Sequence, residues 1–155
     1  MIPGHTASAM SDDEAQRKRH AAYLSRQPPQ ARALGIVPIS IGEGRVIMRA
    51  VWREDLVGDP ESGVIAGGVV TTLLDHAGGL AMLSSPMRSA TTATLDLRID
   101  YMRPAGPRRD VIAHAYVYKL TRTIGFVRAD AYDDDPEDLI ATAQGAFVVN
   151  RSPAP

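Results

Sequence analysis

Cysteine is absent from this chain of 155 residues. That removes disulfides, thiolate zinc sites, iron–sulfur clusters and a cysteine nucleophile together. It also suits a reducing compartment. A membrane-length apolar run is missing too. The longest candidate, Val64 to Leu83, is broken by Asp75, His76 and the pairs Gly67-Gly68 and Gly78-Gly79. The opening MIPGHTASAMSDDEAQRKRH has no apolar h-region, so no signal peptide is read. The formal net charge is −1, which leaves no field of one sign to draw nucleic acid or an anionic membrane. There is no G-x-S-x-G elbow, no G-x-x-x-x-G-K-[ST] loop and no His/Asp/Glu set with metal-ligand spacing. The acidic run Asp133 to Asp138 lacks calcium-loop spacing and reads as a solvated turn. The expectation is a soluble, cytoplasmic protein with no metal, no nucleic acid and no membrane among its partners.

What is present is enough apolar residue for a core: 45% of the chain is hydrophobic, which marks it as globular. The length suits a single domain over 1–155, with an N-terminal extension and helix over 1–30 and a core over 31–150. Ser11 and Glu14 form an S-x-x-E capping box. The helix they open should stop near Gln27, before Pro28-Pro29. Its Arg17-Lys18-Arg19-His20 cluster reads as a solvated face, with a docking patch as the alternative. Ala31 to Ile41 reads as a short turn or helix, then a strand. Gly42-Glu43-Gly44 is a hairpin turn signal. Arg45 to Arg53 alternates, with Val46, Met48, Ala50 and Trp52 on one face. Asp55 to Gly63 is a loop. Gly67 to Ser84 is helical and apolar on nearly every face, so burial all round is predicted. Thr94 to Met102 alternates with Leu95, Leu97, Ile99 and Tyr101 on one face, and Val111 to Leu120, Ile124 to Tyr132 and Ile140 to Val149 are three further strands. One long helix with strands on both sides predicts an α+β fold: an antiparallel sheet wrapped around one central helix, with an extra N-terminal helix. The two glycine pairs are expected to let backbone approach that helix closely.

Asp75 is the most informative residue. An uncompensated carboxylate inside an apolar helix is expensive, so it must be either paired or functional. The helix start at Ala66-Gly67-Gly68 is the second feature. First-turn amides have no partner within the helix and carry its positive end. The glycines make either a tight turn or a place where a carbonyl oxygen can reach those amides, as in an oxyanion hole. Asp75 follows Gly67 by about 12 Å of helix axis, at 1.5 Å per residue. One chain therefore cannot bring both to a single carbonyl. Two antiparallel helices across a two-fold axis can, which predicts a symmetric dimer with composite sites. His76 is not read as Asp75's partner, because adjacent helical residues point about 100° apart. His114, mid-strand, reads as a cross-strand or surface residue.

The run Gly63-Val-Ile-Ala-Gly67-Gly68-Val-Val-Thr-Thr-Leu-Leu-Asp75 resembles the G-x-x-H-G-G-x-x-x-x-L-x-D signature of PaaI-type hotdog thioesterases. Thr94 to Ala105, with its Tyr101-Met-Arg103-Pro104, is similar to that family's next strand and its Y-x-R-P ending, and Ile140 to Phe147 is similar to its closing strand. The resemblance implies a hotdog fold and hydrolysis of an acyl-CoA thioester without a cofactor. It makes Asp75 the catalytic carboxylate, as nucleophile or as general base. It makes the Gly67 amide the donor to the thioester carbonyl, with Gly68 beside it in the substrate site. Thr94 would hold the attacking water, and Asp59 falls near a family Asn that also contacts that water. Arg103 and Arg122 would meet the CoA phosphates, with Arg108 and Arg109 as further rim cations. It implies a homodimer at minimum and a homotetramer as a pair of dimers. Ala66 stands where the family has His. That departure opens an alternative, a non-catalytic acyl-CoA-binding protein. A dehydratase would need a His paired with an acid, and none is evident. A ligand-free scaffold would leave Asp75 unexplained.

Overall fold

The computed structural model describes residues 12–86 and 91–150. Ser11, and with it the capping box, lies outside them. Helix α1 (Asp12–Ser25) opens on three acidic residues, Asp12, Asp13 and Glu14, which suit the positive end of a helix. The basic cluster is a solvated face in part. Arg17 and Lys18 pair with Asp13 and Glu14 one turn back, at 3.0 and 3.1 Å, in exposed positions that contribute little. Arg19 instead reaches inward, its Nη1 donating to the Ile41 carbonyl at 3.1 Å. Short α2 (Pro29–Ala33) takes a proline in its first turn, where the missing N–H has no role.

Strands β1 (Ile36–Ile41) and β2 (Arg45–Ala50) form the predicted hairpin, with Gly44 at φ 72° in its turn. A 3-10 turn (Glu54–Leu56) leads into a small hairpin of β3 (Val57–Asp59) and β4 (Val64–Ile65), where only a loop is predicted. Strands this short carry no readable period. The central helix α3 (Gly67–Leu83) follows, and then β5 (Thr94–Tyr101), β6 (Val111–Leu120), β7 (Ile124–Tyr132) and β8 (Ala141–Val148). The six long strands form one antiparallel sheet in the order β1-β2-β6-β7-β8-β5.

The sheet can wrap α3 because its inward positions are small. Ala113 and Ala115 on β6, Ala129 and Ala131 on β7, and Ala141 and Ala143 on β8 are all buried. Bulk comes from the helix, through Val70, Leu73, Leu74 and Met82, and from Met48 and Phe147 at the flanks. Alternation along each strand sends the polar residues to the other face.

Two expectations about α3 need correction. It is not buried all round: Gly68 and Leu83 are exposed, and Thr72, Asp75 and Gly79 are only half-buried. These five recur at spacings of three and four, so they form one stripe along the helix. The stripe is poor in large apolar side chains; the sheet reaches it at Asp75, through Thr94 of β5, and leaves Gly68 and Leu83 exposed. The glycine pairs also differ. At Gly78 an added Cβ would lie 2.8 Å from the Phe147 ring, so that glycine does admit close packing. At Gly67 the nearest atom would be 3.9 Å away, and at Gly68 nothing lies within 4 Å.

Adjacent glycines should therefore respond with opposite signs. Gly78→Ala is expected to destabilise the fold by about 1–3 kcal/mol through overpacking against Phe147. Gly79→Ala, whose Cβ would meet only Thr92 at 3.8 Å, should stabilise it by up to about 1 kcal/mol through helix propensity. Urea midpoints at constant m-value measure both. Equal shifts would show that the Phe147 ring simply swings aside.

Candidate active site

Asp75 lies in the middle of α3, on that stripe. Its Oδ1 accepts the Thr94 hydroxyl of β5 at 2.7 Å. Among the described residues no Lys or Arg forms an ion pair with it. The carboxylate opens onto a cavity of about 580 Å³ between α1 and α3, lined largely by apolar atoms of Tyr23, Leu80, Leu83 and Phe147. Asp75 is thus neither deeply buried nor neutralised by a cation; it sits in the wall of a space large enough for a ligand.

Helix α1 forms the opposite wall of that cavity, through Arg19, Tyr23 and Arg26. It is tied to α3 by the Tyr23 hydroxyl, 2.8 Å from His76 Nε2. Gln16 adds a pair of bonds to the Ile41 backbone, accepting its N–H at 3.1 Å and donating to its carbonyl at 3.0 Å. Burial pulls the His76 pKa below its ordinary value, and the nearby Asp75 charge offsets this only in part. A neutral ring fits the bond to Tyr23. His76 is a structural tether, and Asp75 is not its partner. His114 is a cross-strand residue, opposite Ile47 and Asp130.

The start of α3 lines a second cleft, of about 540 Å³, with Asp59, Ala66, Gly67, Tyr101 and Arg103 around it. Ala66 is the N-cap and has no side-chain oxygen to take a first-turn amide. Among the described residues no acceptor is found for the Gly67 or Gly68 N–H. Neither glycine is required by crowding or by a positive φ. What the missing side chains provide is access from outside the chain. The Gly67 carbonyl is held by the Tyr101 hydroxyl at 2.8 Å and the Thr71 hydroxyl at 3.1 Å.

Asp59 reaches this second cleft because β3 runs hard against the N-cap; a Cβ on Gly58 would lie 2.8 Å from Ala66 Cα. Its carboxylate accepts the Ser62 hydroxyl at 2.5 Å and the Glu61 amide at 3.3 Å, and these bonds hold its pKa below the usual carboxylate range. The chain thus gathers its predicted residues into two groups. Asp75 and Thr94 share one cavity, and Gly67, Asp59 and Arg103 gather at the other; Gly68 is exposed beside Gly67 and lines neither.

The predicted cations are mostly committed elsewhere. Arg103 pairs with Asp133 at 2.7 Å and Asp138 at 2.9 Å, fastening the end of β5 to the β7–β8 loop. Those bonds raise its pKa and depress that of Asp133. Asp133 has only 7% of its side chain exposed and also accepts the Gly106 amide at 2.7 Å, so this part of the acidic run is a structural anchor and not a solvated turn. Arg109 pairs with Asp134, and Arg108 stacks over Trp52 at 6.0 Å. Arg122 sits exposed on the β6–β7 turn and lines neither cleft. Sequence reasoning missed Tyr23 as a cavity wall and Tyr101 as a cleft residue. Tyr101 is visible in the Y-x-R-P run, but nothing in the run marks it as a cleft residue.

Comparison with known proteins identifies the family. A profile of the thioesterase superfamily matches residues 62–140, which span α3 and Asp75. A Halobacterium salinarum protein named as an esterase is 35% identical over 127 residues, covering 76% of this chain and 82% of that one. Human acyl-coenzyme A thioesterase 13 is 32% identical over 111 residues, covering 71% and 77%. The phenylacetic acid degradation protein PaaI of Thermus thermophilus, solved as a mutant, superposes with a TM-score of 0.68 at 26% identity, covering 78% and 98%. The fold is the hotdog fold, one sheet around one helix. The chain belongs to the thioesterase superfamily as a PaaI-type member and is a thioester hydrolase.

Proposed function

We propose that this chain hydrolyses acyl-CoA to a free acid and CoA, in a dimer whose two sites each draw on both subunits. The observation that carries this is Asp75: a carboxylate with no ion pair among the described residues, beside a hydroxyl, open to a largely apolar cavity. An apolar wall suits an acyl group.

The open edge of the sheet supports the dimer. β5 pairs with β8 on one side only and is eight residues long. Leu95, Tyr101 and Met102 on and beside it are 56%, 49% and 59% exposed. A long, unprotected, partly apolar edge is a template for pairing with another strand. If two β5 strands pair antiparallel about a two-fold between Leu97 and Arg98, Thr94 falls opposite Tyr101 of the partner subunit. Thr94 touches Asp75, and Tyr101 touches Gly67. That register brings each Asp75 to the partner's helix start and covers the stripe of α3. Pairs of such dimers would make the tetramer.

In the reaction, the partner's Gly67 amide takes the charge that develops on the thioester oxygen. Asp75 either removes a proton from the water that attacks the carbonyl carbon, or attacks that carbon itself to form an anhydride, which water then hydrolyses to the free acid and the regenerated carboxylate. The C–S bond breaks and CoA thiolate leaves, to be protonated. Thr94 donates to Asp75 and orients it with the water. Asp59 reaches the same composite site from the side of the helix start. No cofactor enters these steps. The phosphates of CoA would meet exposed cations; Arg122 is one, and Arg103 has its charge already paired. Among the described residues no helix is long and apolar enough to cross a membrane, consistent with action in the cytoplasm.

A panel of aryl, phenylacetyl and medium-chain acyl-CoA esters, read by thiol release, tests this for the wild type and for Ala66→His. Turnover of at least one ester by the wild type is expected. Tight binding of the esters with no thiol release would refute hydrolysis and favour the acyl-CoA-binding alternative.

A further inference from the structure

The carbonyl of Gly67 accepts from two hydroxyls at once, an unusual attention for a peptide in the first turn of an exposed helix start. Tyr101 Oη lies 2.8 Å from it, Thr71 Oγ1 lies 3.1 Å from it, and the two hydroxyls lie 2.7 Å from each other. Thr71 alone would be an ordinary bond back to the preceding turn. Tyr101 is not local. It comes from the last residue of β5, held opposite Ala141 on β8. The first peptide of α3 is therefore fastened to the edge of the sheet.

That peptide joins the Gly67 carbonyl to the Gly68 N–H. The two point in opposite directions along the helix, so fixing the carbonyl fixes the direction of the amide. Gly68 N–H is a first-turn donor without an intrahelical partner. At most helix starts an N-cap side chain would claim such a donor, and Ala66 has none to offer. Hydrogen bonds to the carbonyl also polarise the peptide and strengthen its N–H as a donor. We infer that Tyr101 is a positioning residue for thioester hydrolysis: with Thr71 it aims and strengthens the Gly68 amide as a second donor to the developing oxyanion, beside Gly67. Two hydroxyl protons fill two of the three contacts at a time: either both go to the carbonyl, or one hydroxyl donates to the other, which donates to the carbonyl; in each arrangement both protons stay within the triad. Tyr101 thus keeps no proton for the substrate and acts through the peptide.

This rests on the proposed function, so its test runs beside Asp75→Asn on the same acyl-CoA ester. Tyr101→Phe keeps the ring and removes only the hydroxyl. It is expected to lower kcat about 3- to 10-fold at unchanged KM, the pattern of an interaction made in the transition state. Tyr101→Phe combined with Thr71→Val strips both donors and should lower kcat further. With carbonyl-¹³C glycine and no substrate, the Gly67 resonance should move upfield in the single variant and again in the double. A double variant with wild-type kcat, a loss confined to KM, or a Gly67 resonance that stays in place would each overturn the inference. If Asp75→Asn is inactive while the double variant is fully active, only the role of Tyr101 falls. If Asp75→Asn itself turns over normally, the site assignment falls whatever Tyr101 does.

Discussion

Asp75→Asn should abolish most turnover, lowering kcat by about 10²- to 10⁴-fold, while fold, assembly and KM stay close to wild type. In barrier terms this is about 3–5 kcal/mol. The substitution is nearly isosteric. An Asn Oδ1 in the same place can still accept the Thr94 hydroxyl, the one side-chain bond described for Asp75. No ion pair is broken, so no buried charge is orphaned and stability has little reason to change. What is lost is the negative charge and the lone pair basic enough to take a proton from water or to attack a carbonyl. Thiol release under saturating acyl-CoA gives kcat, and thermal melting with size-exclusion chromatography checks fold and assembly. A variant with near wild-type kcat would remove Asp75 from the chemistry. In the wild type, a single turnover in H₂¹⁸O probes the two roles still open for this side chain. Label entering the Asp75 carboxylate marks an anhydride opened at the Asp75 carbon; label in the product acid alone fits general-base catalysis or an anhydride opened at its acyl carbon, and rapid-quench mass spectrometry for an acyl–Asp75 adduct distinguishes those two.

The strands of the core were legible because their signal is local. Along β6, β7 and β8 every second residue faces α3 and is small and apolar, and the period of two follows directly. The predicted spans agree with the observed ones to within about a residue or two, which is the ordinary uncertainty of strand ends. Helix α3 was legible for the same reason, but its burial was not. A stripe of Gly68, Thr72, Asp75, Gly79 and Leu83 looks harmless in a hydrophobic run until the sheet is seen to leave parts of it exposed. Of the site, Asp75 stood out because a charge within an apolar helix needs an explanation; the resemblance pointed to Thr94 as a holder of water, and its contact with Asp75 came with the fold. Residues whose partners lie far along the chain could not be read. Arg103 meets Asp133 thirty positions on, and Tyr23 meets His76 fifty-three positions on. One arginine among several, or one aromatic on a polar helix, carries no mark of which tertiary contact it will make. The charge of Arg103 was therefore assigned to a ligand when the fold had already used it.

Mixing two dead variants should restore activity. Let one chain carry Asp75→Asn and the other Gly68→Val. Among the described residues an added Cβ at Gly68 meets nothing within 4 Å, so the valine variant is expected to fold, with its side chain projecting outward beside the helix start, where a thioester would approach. Each variant alone forms dimers in which both composite sites are spoiled. In a mixed dimer, one site combines the asparagine with the valine and is doubly damaged. The other combines an intact Asp75 with an intact pair of glycines and should work at the wild-type rate. Random association of equal amounts makes about half the dimers mixed, each with one working site of two. The mixture should then recover about a quarter of wild-type specific activity from two samples that have almost none. Co-expression, or joint unfolding and refolding, supplies the exchange. No recovery, in a mixture shown by mass spectrometry to contain the mixed dimer, would place both halves of the site in a single chain. The twelve or so ångströms of helix between Gly67 and Asp75 make that outcome hard to reconcile with one bound carbonyl. Recovery would put the two halves of each site on different chains, as the proposed β5–β5 pairing requires when it sets Thr94 and its carboxylate against the partner's Tyr101 and its glycine.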